Sequence, residues 1–361
     1  MSLIQRSKLN NTVLLIFMIT LSQLPGRTTI INKEEYLFFS GYSYLGLGVN
    51  EAFINLIKEG IDLYGVVYPS SRISNTPLDL YAAFETKLAQ FTSSQAAACF
   101  SSGFLSARTA TEVVSNKMNV YCMQHTHPAS SAHPAIKKIP VLQSWSHFLK
   151  EREQENEFTF GLVADSINPT PGHINDFSFL HTTPAHFNIT LIIDDSHGIG
   201  WMGENGEGIL STLLLPANFE LLLNFSLSKA FHINGGVICG SQKWIDEVRK
   251  CVNYATSTPI MPALAHAWLY GEKIFSLQRQ LLLQNIQNLL KLSTSYTFVA
   301  NEGTPVFVVD KKSIAPYLLQ NKVIISSFAY PHPESNPVNR VVLNALHLKS
   351  DLEKLAQLIG Q

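Results

Sequence analysis

Between about residues 95 and 265, short apolar runs alternate with stretches of helical pattern, which restricts the chain to few architectures. The runs lie at 96–100, 120–123, 141–144, 158–164, 189–194, 221–226 and 236–240. Runs this short, apolar on both faces, are strands covered by helices on each side, joined by helical crossovers. The expected fold class is α/β: a mostly parallel seven-stranded sheet sandwiched by helices. Ahead of it, 1–45 forms an N-terminal segment of helix and strand, and the sheet belongs to a large domain over 46–265. A smaller α+β C-terminal domain over 266–361 takes in most of a long amphipathic helix at 263–292. Strand 304–309, helix 314–320, strands 323–328 and 340–346, and helix 351–359 complete it. Ahead of the sheet, helices are expected at 51–64 and 78–91.

In sheets of this kind ligands bind beyond the carboxyl ends of the strands, and two such ends carry chemistry. The run 221–226 leads into Ser226-Leu-Ser-Lys229, and a Gly-Gly pair then opens the next run. A lysine between buried strands is hard to keep hydrated, which lowers its pKa and suits it to Schiff-base chemistry. Read alone, it is better explained by an ammonium that reaches out to water. The run 189–194 ends in Asp194-Asp-Ser-His197 followed by glycines, so Asp194 and His197 both reach a ligand beyond that strand. A carboxylate near a cofactor lysine is what pyridoxal 5'-phosphate requires, because it keeps the pyridine nitrogen protonated and electron-withdrawing. Ser101-Ser-Gly-Phe104 follows a strand and opens a helix, so the amides of Gly103 and Phe104, with Ser102 beside them, face an anion site.

Asp194-Asp-Ser-His197, Gly203-Glu-Asn-Gly206 and Ser226-Leu-Ser-Lys229 together resemble the α-oxoamine synthases. This family includes 8-amino-7-oxononanoate synthase and 2-amino-3-ketobutyrate CoA ligase, which are fold-type I pyridoxal phosphate enzymes. The resemblance implies catalytic roles for Lys229, His197 and Asp194, with the cofactor covalently bound to Lys229. It makes Ser102, Gly103, Phe104 and Ser226 the phosphate cup, and gives Thr258 a phosphate of the partner subunit. It puts the imidazole of His127 on the cofactor ring and His197 on its phenolic oxygen. Arg340, whose planar fork suits a carboxylate, aligns with the arginine that holds the substrate. Tyr42 stands where the family has an asparagine near that carboxylate, Arg72 matches an arginine of a Ser-x-Arg segment, and Glu85 takes the position of the family's Leu-Glu pair. The implied activity is condensation of an amino acid with an acyl-CoA thioester by a homodimer with shared active sites. The clearest departure is Asp165-Ser-Ile-Asn-Pro-Thr-Pro-Gly-His173, where two prolines interrupt a stretch that reads Glu-x-x-x-Ser-Met-Asp-Gly-Asp in the family. This loop leaves an aminotransferase as the second reading, and a catalytically silent family member as the third.

Composition sets the outer bounds. With 361 residues, 46% hydrophobic and 15% charged, the chain can bury a large core. A net charge of −1 with both signs scattered leaves no basic stripe for nucleic acid. The four cysteines lie far apart without a Cys-x-x-Cys, which fits reduced thiols in a cytoplasmic enzyme. The histidines at 125, 127 and 133 lack a helical partner carboxylate, so no metal site is expected. Residues 12–21 have the short apolar run of a signal peptide without its cleavage site, are short for a membrane span, and are read as a segment covered by a partner subunit.

Overall fold

A computed structural model describes residues 5–9, 12–16, 19–140, 143–168, 170, 172–293, 298, 301, 303–329, 335 and 337–360. It separates into two compact units, 50–168 with 174–279, and 1–49 with 169–173 and 280–361.

The first of these carries a seven-stranded sheet in the order Ala96–Phe100, Gly236–Gly240, Phe219–Ser226, Asn188–Asp194, Thr159–Asp165, Val120–Cys122, Ile136–Lys138. The last five strands run parallel, and Gly236–Gly240 runs antiparallel to both its neighbours. The strands are short and almost wholly apolar because helices cover them, as the alternation of the sequence requires. Phe100, Val163, Ile192, Leu222 and Ile238 on the sheet meet Ala110, Val114, Trp244 and Val248 from helices Gly103–Ser115 and Gln242–Lys250. Each fully buried side chain of this size contributes about 1.5–3 kcal/mol. Both helices start on a serine whose hydroxyl accepts an N–H of the first turn, Ser102 from Leu105 at 3.2 Å and Ser241 from Trp244 at 3.5 Å.

In the other unit a five-stranded sheet runs Val306–Val308, Pro337–Val342, Val323–Ala329, Glu34–Phe39, Thr28–Ile31. Glu34–Phe39 pairs in parallel with Val323–Ala329, with Val323 opposite Leu37. This pairing puts residues 1–49 in one unit with 280–361, in place of the expected division after residues 45 and 265. Helices Ile314–Gln320 and Lys349–Gly360 complete the unit.

Three local expectations change. The seventh strand is Ile136–Lys138, while Gln143 and Ser144 of the expected strand 141–144 are non-strand and 141–142 lie outside the described residues. The long helix is two, Pro262–Tyr270 and Glu272–Ser293, because Gly271 ends the first. The N-terminal apolar run pairs as a strand, Thr12–Ile16 against Gln5–Leu9. Among the described residues no helix is long and apolar enough to cross a membrane.

Candidate functional site

Three parallel strands end side by side on one edge of the seven-stranded sheet, and each delivers a charged group there. Asn188–Asp194 ends on Asp194, Thr159–Asp165 ends on Asp165, and Phe219–Ser226 runs on to Lys229. In the register of the sheet Asp194 pairs with Asp165 on one side and with Asn224 on the other.

The ammonium of Lys229 lies within the field of both carboxylates. Burial lowers its pKa, and Asp194 and Asp165 oppose the shift only in part. Burial pushes the Asp165 carboxyl well above the usual carboxylate range, with the charge of Asp194 adding to the rise. The backbone N–H of His127, at 3.1 and 3.2 Å from its two oxygens, and the charge of Lys229 work the other way. His127 is itself lowered by loss of hydration, with Asp194 raising it and Lys229 lowering it. These directions place Lys229, Asp194, Asp165 and His127 in one electrostatic cluster at the sheet edge. His127 caps the short helix Pro128–Ser131, its Nδ1 accepting the N–H of Ala129 at 3.2 Å.

Serines join the strand ends. Ser196 Oγ accepts the N–H of Ser226 at 2.9 Å, and Ser226 and Ser228 share a hydroxyl contact of 2.7 Å. Asp194 Oδ1 accepts the N–H of Ser196 at 3.0 Å, so the Asp194 turn is tied to the lysine strand. The neighbouring Asp195 is fully buried and holds the glycine loop by accepting the N–H of Ile209 at 2.9 Å. Its carboxyl is pushed up to about 7 by burial.

The N-terminus of helix Gly103–Ser115 meets the same edge. A methyl group on Gly103 would lie 2.4 Å from Cβ of Ser226, and one on Gly236 would lie 2.2 Å from Ser102 O. Glycine at both positions lets the first amides of the helix stand directly over the Ser226 hydroxyl. Unpaired amides at a helix start, with hydroxyls beside them, form a cradle for a phosphate. With a half-buried lysine of lowered pKa and carboxylates at the strand ends, the residues present fit pyridoxal phosphate.

Of the remaining expected residues, Phe104 is 63% exposed beside the cradle, His197 is half-buried on the Asp194 turn, and Thr258 is exposed in the extended segment after helix Val252–Thr256. Arg72 is committed elsewhere. Its Nη2 binds Glu85 at 2.8 Å, its Nη1 faces the Cys99 sulfur at 3.1 Å, and the rings of Tyr81 and Tyr254 cover it at 4.8 and 4.9 Å. In the second unit Arg340 is 2% exposed with its guanidinium 4.6 Å from the ring of Phe328, and Tyr42 lies edge-on to Tyr44 at 6.1 Å. Pro169 and Pro171 lie outside the described residues. Asp165, just before them, is the site residue that motif reading passed over. Its signal was in the sequence: like Asp194, it ends an apolar run at the carboxyl edge.

The chain matches the family model of aminotransferase class I and II over residues 35–359. It is 26% identical to 8-amino-7-oxononanoate synthase of Petrotoga mobilis, across 96% of this chain and 93% of that protein. It is 23% identical to 8-amino-7-oxononanoate synthase 1 of Bacillus subtilis, across 94% and 91%. Among solved structures it resembles a serine palmitoyltransferase variant of S. paucimobilis with a bound PLP–myriocin adduct, with a TM-score of 0.82 and 16% identity over 95% of this chain and 92% of that one. It also resembles 8-amino-7-oxononanoate synthase of Francisella tularensis, with a TM-score of 0.69 and 22% identity over 90% and 97%.

Proposed function

The chain belongs to the aminotransferase class I and II family, and from that premise we propose that it is a pyridoxal phosphate-dependent acyltransferase, condensing an amino acid with an acyl-CoA thioester. The observation that carries the reading is the cluster of Lys229 with Asp194, Asp165 and His127, beside the cradle of Gly103 and Ser226.

Lys229 would hold the cofactor covalently, the first amides of helix Gly103–Ser115 with Ser226 would hold its phosphate, and Asp194 its ring nitrogen. When bound, pyridoxal phosphate supplies an electron sink that stabilises negative charge developing at the α-carbon of an amino acid. The remaining work belongs to the chain. With its pKa lowered by burial, Lys229 presents a larger neutral fraction near neutral pH, as a nucleophile and as a base for the α-proton. Asp194 and Asp165 limit that drop, so the lysine can hold the proton it takes and return it at Nζ. Asp165, its carboxyl pushed up by burial, receives the N–H of His127 and so orients that residue. For the substrate carboxylate the reading takes the fork of Arg340, with Tyr42 as a further contact. Thr258, exposed on its segment, is read as a contact to a partner subunit in a cytoplasmic homodimer.

The test is release of coenzyme A from acyl-CoA thioesters by protein supplied with pyridoxal phosphate, with glycine, alanine and serine offered singly. Release that depends on one amino acid, together with a matching condensed product, is expected. Conversion of the amino acid to its 2-oxo acid, with the thioester untouched, would replace this reading by an aminotransferase.

A further inference from the structure

A cavity of about 360 Å³ opens in the unit of the seven-stranded sheet on residues to which no role has so far been given. Phe91, Phe231, Trp268 and Phe275 line it. Their rings interlock, with centroids 5.0 Å apart for Phe231 and Phe275, 5.7 Å for Phe91 and Trp268, and 5.8 Å for Phe231 and Trp268. A volume of this size, with one aromatic wall and polar and charged groups on the rest of its lining, is that of a small-molecule site.

One of those polar groups is a buried cation. Arg279 is 8% exposed and lines the cavity, and its Nη1 donates to a neutral acceptor, the carbonyl of Asn205, at 2.8 Å. Burial lowers its pKa, and the carboxylate of Glu207, which also lines the cavity and accepts the N–H of Asn205, opposes the drop. Lysine and glutamate at the mouth, Lys87 and Glu272, already satisfy one another at 3.0 Å. Among the described residues Arg279 therefore has no carboxylate in direct contact, and a guanidinium in that state has donors to offer a planar anion. Its position is fixed by the glycine loop, since a methyl group on Gly206 would lie 3.2 Å from Nη1.

We propose that this cavity binds a small monocarboxylate with an apolar body, the carboxylate on Arg279 and the body among Phe91, Phe231, Trp268 and Phe275. The site is separate from the Lys229 cluster, although Phe231 lies two residues beyond the lysine on the same loop, so that an occupant stands behind that loop. Aromatic walls favour a ring or a flexible chain in the body, and the buried fork favours a carboxylate over a neutral group of the same shape.

The experiment is calorimetric titration of the full chain, loaded with pyridoxal phosphate, with 4-phenylbutanoate and with its neutral analogue 4-phenylbutan-1-ol. The acid is expected to bind at least about tenfold more tightly than the alcohol, as for hydrogen bonds to a charged group. Arg279→Gln should abolish that preference, and Ser276→Phe, which fills the cavity from its lining while leaving the arginine in place, should abolish binding of both. Lys229→Ala should leave the acid's affinity unchanged. Equal binding of acid and alcohol, no binding of the acid at millimolar concentration, or binding that survives Ser276→Phe in a protein with wild-type circular dichroism, would each overturn the proposal. So would loss of binding in Lys229→Ala, which would assign the acid to the cofactor site.

Discussion

Asp165 and Asp194 stand opposite one another on adjacent parallel strands, so that two carboxyl groups share one strand-end edge with a single lysine. Burial pushes the Asp165 carboxyl well above the usual carboxylate range, and the charge of Asp194 adds to the rise. Asp165→Asn keeps the shape and the acceptor for the His127 N–H while removing the titration. An acid whose pKa is raised in the folded state destabilises the fold as pH rises from its unfolded value, about 4, toward its folded one. Asp165→Asn is therefore expected to leave acid stability unchanged and to be more stable than wild type at pH 7. Urea unfolding of the cofactor-free protein at pH 4 and pH 7 measures it, and a variant less stable than wild type at pH 7 would contradict the shift.

The same sign applies to Asp195, whose carboxyl is pushed up to about 7. Its contribution makes the protein lose stability between pH about 4 and about 7, and Asp195→Asn should flatten that part of the stability profile. Urea midpoints at pH 5, 6 and 7.5 give the slope. A slope identical to that of wild type would show that Asp195 titrates normally.

Lys229→Ala removes the amine that the cofactor needs. Turnover should fall by at least about a hundredfold, and the visible absorbance of covalently held cofactor should disappear while the fold is retained. Absorbance and circular dichroism on the same sample separate loss of the amine from unfolding. A variant that keeps wild-type turnover would remove Lys229 from the chemistry.

Gly103→Ala puts a methyl group within 2.4 Å of Ser226 Cβ, at the closest approach of the helix start to the lysine strand. Separation of the two should weaken pyridoxal phosphate binding by about tenfold or more and cost about 1–3 kcal/mol of stability. Equilibrium dialysis reads the first and thermal unfolding the second. Unchanged cofactor affinity would mean that the phosphate lies elsewhere.

Glu85 binds Arg72 at 2.8 Å through Oε1 and Arg249 at 3.1 Å through Oε2, and is 5% exposed. Glu85→Ala leaves Arg72 buried without its carboxylate, at an expected cost of about 3–5 kcal/mol. Arg72→Met with Glu85→Ala should recover part of that loss, since the buried charge is gone and Arg249, the other partner of Glu85, is exposed enough to be hydrated. Chemical unfolding of the two variants compares them. A double variant no more stable than the single would give Arg72 a role beyond this ion pair.

Much of the fold was legible because its signals are local. Helix Glu51–Tyr64 follows from its apolar stripe, and its start from Asn50, whose side chain accepts the N–H of Phe53 at 3.0 Å. Six of the sheet strands follow from apolar runs bounded by turn formers. Ile136–Lys138 escaped because it is an edge strand with two exposed lysines, so its pattern is that of a loop. The split at Gly271 was written in the residue itself, which leads into helix Glu272–Ser293. In the site, Lys229, Asp194 and His197 were legible from strand-end position together with family resemblance. The place of Arg72 was not, because its partners Glu85 and Cys99, with Arg249 on the far oxygen of Glu85, come together only in three dimensions. Asp165 was obscured by the prolines that follow it, which draw attention to the loop and away from the strand end.

Gly236–Gly240 runs against its two neighbours, Phe219–Ser226 and Ala96–Phe100, and joins them. The strands Val120–Cys122, Ile136–Lys138, Thr159–Asp165 and Asn188–Asp194 are all made in the chain between the two it links. A ribosome must therefore deliver everything through Gly240 before that seam can close, and closing a loop so long is slow relative to local helix formation. Because Gly236 also seats Ser102 at the mouth of the cradle, the phosphate cup is finished only by this late pairing. A nascent chain that ends before Gly240 would hold the lysine and both carboxylates yet have no completed place for the cofactor.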